Sequence, residues 1–168
     1  GTPGKKVVVV SAISRATTAL ESIASLAAEG KTADAEKQLE SIINRHHEII
    51  DKLVSDKGLK SGAAEKILFY HRQINELIKG LAIINELSLR TLDTFRAFGE
   101  LMSSTVIFHA MRNDGIDTEL IDSRKIIKTN NDFSRAYPNF EVSEKNAEEF
   151  IVPLLKLNKI VLAQGFIA

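Results

Sequence analysis

The chain has 168 residues, no cysteine, and 22 basic against 22 acidic side chains, which gives a formal net charge of zero. This length fits one domain, and a 44% hydrophobic content is enough for a core. The charge balance argues against a nucleic-acid or membrane-surface partner. The lack of cysteine excludes disulfides and thiol nucleophiles. With no apolar run near the roughly 18 residues of a spanning helix and no signal peptide, we predict a cytoplasmic protein.

The first half of the sequence predicts one strand followed by helices. Residues 5–11 (KKVVVVS) form a β-branched run that is typical of a parallel-sheet strand buried on both faces. Helical spacing of apolar residues follows over 16–29, where Gly30 ends the helix, and over 31–54. A third helix is predicted to begin with Ser61 as its cap and to run towards Leu92.

The second half predicts a further helix and two more strands. A helix is expected to start near Gly99-Glu100, and a short strand follows at 118–122. Residues 123–140 read as a long loop with a possible strand at 126–129. Ser143 is expected to cap a helix over 144–151 that breaks near Pro153, and a last strand covers 159–163. This order of elements predicts an α/β fold with helices crossing between parallel strands.

Three segments lie where such a fold places its ligands, at the carboxyl ends of strands and the starts of helices. They are residues 11–18 (SAISRATT), 98–100 (FGE) and 164–166 (QGF). Each has an ordinary structural explanation as well: hydroxyls that cap a helix, a first-turn acid that complements the helix dipole, and a turn with an anchored ring. The pattern alone therefore predicts a nucleotide- or metabolite-binding domain and no specific substrate.

The histidines and the basic loop point to no definite site. His46 and His47 are neighbours in a helix, so only one of them can face the core. His47 and Asp51 have the spacing of a metal-binding pair, but without a third ligand we predict no metal site. The basic residues at 124–128 fit either a bound phosphate or carboxylate, or a solvated loop.

Four motifs in sequence give a resemblance to a known family. The segments VVVVSAISRATTAL, FGELMSS, IDSRKIIKTNNDFSRAYPN and LAQGFIA occur in this order and span almost the entire chain. They resemble, in the same order, the V-V-V-S-A, G-E-L/K-x-S, D-x-R-K…T-N-D-x-F and Q-G-F-I-G motifs of the aspartate kinases. Ala168 stands where that family usually has glycine.

The resemblance implies a particular fold and extent. Residues 1–168 would be the substrate-binding half of an amino-acid kinase catalytic domain, the helix-rich part of a three-layer α/β domain with a mostly parallel sheet. The N-terminal phosphate-binding strand, the nucleotide-binding half and the ACT regulatory domains are expected outside these residues. The complete enzyme is expected to be a homodimer formed through the ACT domains.

The resemblance also implies an activity and a set of residues. Aspartate kinases transfer the γ-phosphoryl group of ATP, with Mg²⁺, to the β-carboxylate of L-aspartate, the first step towards lysine, threonine and methionine. By position, Ser11 matches the serine near the reacting groups, and Thr17 matches the threonine that hydrogen-bonds aspartate. Glu100 matches the glutamate that holds the α-amino group, beside Gly99 so that the substrate approaches closely. Phe166 matches the aromatic residue that borders the same pocket, and no residue is assigned to ATP.

Two further expectations follow. The 168 residues alone are expected to lack kinase activity, because the family's phosphate-binding lysine and glycine-rich segment are not among them. The alternatives are another amino-acid kinase, acting on glutamate, carbamate or a nucleotide, and a non-catalytic helical interaction module built from residues 16–112.

Overall fold

The computed structural model describes residues 4–167, so Gly1 to Pro3 and Ala168, with its departure from the family's glycine, lie outside the described residues. In the described part, four long helices follow the first strand, and shorter elements complete the chain. Their bounds are β1 (Val7–Val10), α1 (Ala16–Ala28), α2 (Thr32–Leu53), α3 (Lys57–Ile84), α4 (Leu89–Asn113), β2 (Thr118–Ile121), α5 (Ser123–Ile126), α6 (Phe140–Phe150), α7 (Val152–Lys156) and β3 (Ile160–Gln164).

The sheet is parallel and has three strands in the order β1-β3-β2. The last strand therefore lies in the middle, and the long helical segment between β1 and β2 acts as the crossover connection. This arrangement confirms the predicted α/β class. The prediction that the first strand is buried on both faces is wrong, since Val7 and Val9 are 46% and 62% exposed. Among the described residues, β1 is an edge strand, and the face that these two valines present is only partly covered.

The hydrophobic core lies within α1 to α4. Each helix places apolar residues on one face at the 3.6-residue period, for example Leu20, Ile23 and Ala27 of α1, which are fully buried. Burying a leucine or isoleucine side chain contributes about 1.5–3 kcal/mol each. The central helix is α4, whose residues 97–106 are all buried because helices pack around it and the sheet lies against it.

The start of α3 and the boundary between α3 and α4 both differ from the predictions. The side chain of Asp56 accepts a hydrogen bond from the Leu59 amide at 2.8 Å, so α3 begins four residues before the predicted cap, Ser61. Asn85 ends α3 in the left-handed conformation (φ 55°), and Ser88 caps α4. The predicted helix start at Gly99-Glu100 is therefore wrong, because both residues lie in the middle of α4.

The region before the last strand also departs in detail from the sequence reading. Asn139, rather than Ser143, caps α6, and Ser143 instead accepts a hydrogen bond from the Lys128 amide at 3.1 Å. The possible strand at 126–129 is not formed; residues 123–126 are the short helix α5, and Thr129 makes a single antiparallel bridge. The break near Pro153 is confirmed, because α6 ends at Phe150 and the proline lies in the first turn of α7.

None of the helices within residues 4–167 combines the length and the apolar character needed to cross a membrane.

Candidate functional site

The middle of α4 packs directly against the segment that follows β1. A Cβ atom added at Gly99 would lie 3.0 Å from the Cβ of Ala12 and 3.7 Å from Thr17 Oγ1. At this distance a side chain at position 99 is tightly crowded by the segment that follows β1. Gly99 therefore lies in close contact with the start of α1, and its role in substrate approach stays a prediction.

Glu100 is a buried carboxylate at this junction. The residue is 3% exposed, and its Oε2 atom has no hydrogen-bond partner among the described residues. Burial raises the pKa of its carboxyl group, while the backbone N–H groups of Glu100 itself and of Ala12 act in the opposite direction. A buried carboxylate oxygen without a donor is costly to the fold, so the site is short of one hydrogen-bond donor or positive charge.

The carboxyl ends of β1 and β3 meet beside the same stretch of α4. Ser103 Oγ donates a hydrogen bond to the carbonyl oxygen of Ser11 at 2.7 Å. The amide of Gly165 donates to the carbonyl oxygen of Val10 at 2.8 Å, and a Cβ atom at Gly165 would lie 3.8 Å from Ser11 Oγ. The three segments singled out in the sequence therefore come together in space.

Phe166 follows Gly165 and lies at the surface. Its backbone is left-handed (φ 64°), and the residue is 80% exposed. The ring borders a cavity of about 700 Å³ that lies between the last strand, the N-terminal half of α4 and the loop after α5. Ser11, Thr17 and Glu100 do not line this cavity. The structure thus groups these three residues and leaves the Phe166 ring beside them on an open surface.

Sequence reasoning missed three polar residues that hold this junction. Ser103, Ser104 and Gln164 are all at most 5% exposed, and each makes a side-chain hydrogen bond within the junction. The available signal was the pair of serines one turn after Glu100 inside an otherwise apolar helix. Polar side chains at positions i, i+3 and i+4 share one helix face, which indicates a polar contact of that face.

The histidines behave as structural residues. His46 is 1% exposed, and its ring Nδ1 lies 2.8 Å from the carbonyl oxygen of Ile42; His47 is half-buried, so one histidine of the pair faces the core, as predicted. Across residues 4–167, no three His, Asp or Glu side chains are grouped so as to hold a metal ion. In the loop, Arg124 is paired with Asp122 at 2.6 Å, which leaves its charge largely neutralised.

Comparison with known proteins identifies similar sequences, although no protein-family model matches the chain. The bifunctional aspartokinase/homoserine dehydrogenase 2 of Arabidopsis thaliana, a chloroplastic protein, is 26% identical over 168 residues, which are 98% of this chain and 18% of that protein. Lysine-sensitive aspartokinase 3 of Escherichia coli is 27% identical over 129 residues, which are 71% of this chain and 28% of that protein.

Solved structures give the same answer for the fold. The crystal structure of E. coli aspartokinase III with lysine and aspartate (T-state) superposes with a TM-score of 0.84 at 26% identity, over 96% of this chain and 34% of that one. The structure of the same enzyme with aspartate and ADP (R-state) gives a TM-score of 0.83 at 26% identity and the same coverage.

The fold is therefore the helix-rich part of an α/β amino-acid kinase-like domain with a small parallel sheet. More particularly, the chain corresponds in sequence and fold to a portion of an aspartokinase, which confirms the resemblance found in the sequence. It spans about a third of the length of the solved aspartokinase and less of the two sequence relatives.

Proposed function

We propose that this chain forms the aspartate-binding part of an aspartate kinase. The complete enzyme would transfer the γ-phosphoryl group of ATP to the β-carboxylate of L-aspartate and release 4-phospho-L-aspartate, the first step towards lysine, threonine and methionine. The proposal is supported by the sequence and fold matches to aspartokinases, one of them solved with aspartate and ADP.

The observation that carries the proposal is the buried carboxylate of Glu100 at the meeting point of two strand ends, whose Oε2 atom has no hydrogen-bond partner among the described residues. The α-ammonium group of an amino acid carries the positive charge and the N–H donors that this oxygen lacks. Because the side chain is 3% exposed, the ammonium group would reach it through a small shift of residues 11–17. The resulting charge-assisted hydrogen bond would orient the substrate.

The other assigned residues would align the rest of the substrate. In the proposal the Thr17 hydroxyl hydrogen-bonds aspartate and Ser11 lies next to the reacting carboxylate. Phe166 would border this pocket through its backbone, which follows Gly165 beside Ser11. A hydroxyl donor orients a carboxylate without neutralising it, which is what a nucleophilic carboxylate requires. Phosphoryl transfer depends mainly on in-line positioning and charge stabilisation, so no covalent protein intermediate is needed.

We assign no residue of this chain to ATP or Mg²⁺. Residues 4–167 offer no grouped carboxylates for a metal, and Mg²⁺ in phosphoryl-transfer sites is held largely by nucleotide phosphates and water. In the proposal, both are bound by other parts of the enzyme, which would also carry the regulatory ACT domains and the homodimer contacts. The 168 residues alone are then expected to transfer no phosphoryl group.

The decisive experiment follows aspartyl hydroxamate formation by the intact protein that carries this chain, with ATP, Mg²⁺ and L-aspartate. We compare the wild type with Glu100→Ala and with Glu148→Gln, an exposed glutamate of α6 that serves as the control. The expected result is an apparent KM for aspartate at least about 10-fold higher in Glu100→Ala alone, with the KM for ATP unchanged.

The outcomes separate the alternatives. Equal kinetics in all three proteins would return Glu100 to a structural role. An inactive wild type under saturating ATP and Mg²⁺ would exclude aspartate as the substrate, and a screen with glutamate, carbamate and nucleotides would then test the related kinases. Inactivity with every acceptor would leave the helical interaction module.

A further inference from the structure

Three polar side chains on one face of α4 contact residues at the carboxyl ends of two different strands. Glu100 faces the backbone N–H of Ala12, and Ser103 donates to the carbonyl oxygen of Ser11, both after β1. Ser104 Oγ accepts a hydrogen bond of 2.8 Å from the side-chain amide of Gln164, the last residue of β3. The helix therefore links the proposed aspartate-binding residues to the end of the central strand.

Gln164 uses both ends of its buried side chain. Its Oε1 atom accepts a hydrogen bond from the backbone amide of Ser123 at 2.8 Å, and its Nε2 atom donates to Ser104. Its own carbonyl oxygen accepts a further bond from Ser123 Oγ at 2.6 Å. The residue is 5% exposed, so these bonds form away from water and tie β3 to α4 and to the start of α5.

The two residues after Gln164 need such an anchor. Phe166 has a left-handed backbone (φ 64°), which is unfavourable for a non-glycine residue and persists only when the surroundings enforce it. Gly165 lies so close to β1 that an added Cβ would be 3.3 Å from Val9 Cγ1. The Gly165 amide also donates a hydrogen bond of 2.8 Å to the Val10 carbonyl oxygen, which is consistent with this close approach.

We propose that Gln164 is a positioning residue that holds Gly165 and Phe166 against Ser11, without itself touching the substrate. The side-chain amide is suited to the task because it bridges a donor on one element and an acceptor on another at a fixed separation. Its effect on aspartate rests on the proposed function, whereas its effect on the chain after β3 does not. The two effects are therefore tested separately.

The structural effect is measured by amide hydrogen exchange in the 168-residue chain. Gln164→Leu removes both side-chain bonds, Gln164→Glu removes only the N–H donor, and Ser104→Ala removes its acceptor. Gln73→Leu, at an exposed position of α3, is the control. We expect the Gly165 amide to exchange at least about 10-fold faster in Gln164→Leu, relative to the amides of Val161 to Ala163 in the same protein, and to be unchanged in the control.

Using β3 as an internal reference separates a local effect from a loss of global stability. A parallel increase across β3 and Gly165, or no increase at Gly165, would overturn the proposal. The milder variant Ser104→Ala, which removes only one of the two side-chain bonds, keeps the question decidable if Gln164→Leu does not fold. For the pair Ser104→Ala and Gln164→Leu, the double variant should exchange no faster than Gln164→Leu alone, because both changes break the same bond.

The functional effect is measured in the intact protein. We expect Gln164→Leu to raise the KM for L-aspartate about 10-fold, since small displacements of positioning groups have effects of this order or larger, with the KM for ATP unchanged. A faster Gly165 exchange with an unaltered KM for aspartate would overturn the functional half of the proposal. An inactive wild type would refute the proposed function, and the exchange measurement would still decide the positioning role.

Discussion

Glu100 opposes stability where it sits. Burial raises the pKa of its carboxyl group, so the folded state favours the protonated form and pays for the charged one. The folded chain therefore loses stability as the pH rises above the usual value of 4.5. Buried groups with perturbed pKa values are concentrated at functional sites, which agrees with the proposed role of Glu100 in binding.

This leads to a prediction for Glu100→Gln. The amide keeps the size of the side chain and removes the buried charge, so the free energy of unfolding at pH 7 should rise by about 1 kcal/mol. The difference from wild type should shrink as the pH falls towards 4.5 and be gone below it, where the wild-type carboxyl is protonated in both the folded and the unfolded states. Urea unfolding at several pH values measures both effects, and a destabilised variant at pH 7 would contradict the account.

His46 has the opposite pH dependence. Burial lowers the pKa of its ring, and the nearby Ile42 carbonyl only partly offsets this. A lowered folded-state pKa means that the unfolded chain binds the proton more tightly, so stability is full above the usual value of 6.5 and falls as the pH drops below it. We expect His46→Leu to flatten the decline in unfolding free energy between about pH 7 and pH 5. A decline as steep as that of the wild type would assign the acid sensitivity to other groups.

At this scale, the site could be predicted from sequence only through the family resemblance. Nothing in the local pattern distinguishes Glu100 from a first-turn acid, and the structure shows that it is not in a first turn at all. What marks the residue is its burial and the missing partner of Oε2, and both depend on the packing of α4 against the segment after β1. The spacing of residues within one segment does not show how that segment packs against another one that is distant in the sequence.

At the scale of the elements, the sequence predicted helices and strands well and their junctions less well. The spacing of apolar residues predicted α1 and α2, and short apolar runs predicted the three strands, all to within a few residues. It missed the end of α3, because the apolar stripe continues past Asn85 into α4 and periodicity alone does not register a left-handed residue. The sequence also predicted that a helix begins near Gly99. This glycine instead lies inside α4, where it packs closely against Ala12.

Two glycines inside helices, Gly80 and Gly99, give a matched test of the close contact at Gly99. An added Cβ at Gly80 in α3 meets nothing within 4 Å, whereas at Gly99 in α4 it would lie 3.0 Å from Ala12 Cβ. Gly80→Ala should raise the free energy of unfolding by about 0.5–1 kcal/mol, because alanine favours the helix. Gly99→Ala should lower it by about 1–3 kcal/mol through overpacking. Urea titration of both variants checks the signs, and stabilisation by both would show that α4 can move away freely.

At the scale of the whole molecule, the stability is unevenly distributed. The main cluster of buried apolar residues is drawn from α1 to α4 and the residues next to them, with Ile167 as its one contribution from beyond the helices among the described residues. The short helices contribute few buried residues: Ser123 and Ile126 in α5, Ser143 in α6 and none in α7. The long helices α1 to α4 and the short helices α5 to α7 should therefore open with different free energies.

Hydrogen exchange of the native chain tests this distribution. We expect the slowest amides at buried positions of α1 to α4, such as Ile23 and Ile74, and exchange at least about 10-fold faster in α6 and α7. The physical reason is that opening α6 or α7 exposes little apolar surface. Uniform protection across all the helices would mean that the chain opens only as a single cooperative unit.

The alignment of Glu100, Ser103 and Ser104 on one helix face restricts how the length of this chain can change over evolution. Each residue inserted into an α-helix turns everything beyond it by about 100°. A single insertion between Glu100 and Ser103 would thus turn both serines away from the strand ends while leaving Glu100 in place. The loop over residues 127–139 carries no such angular constraint. Homologues should accordingly gain and lose residues in that loop and keep this part of α4 free of gaps.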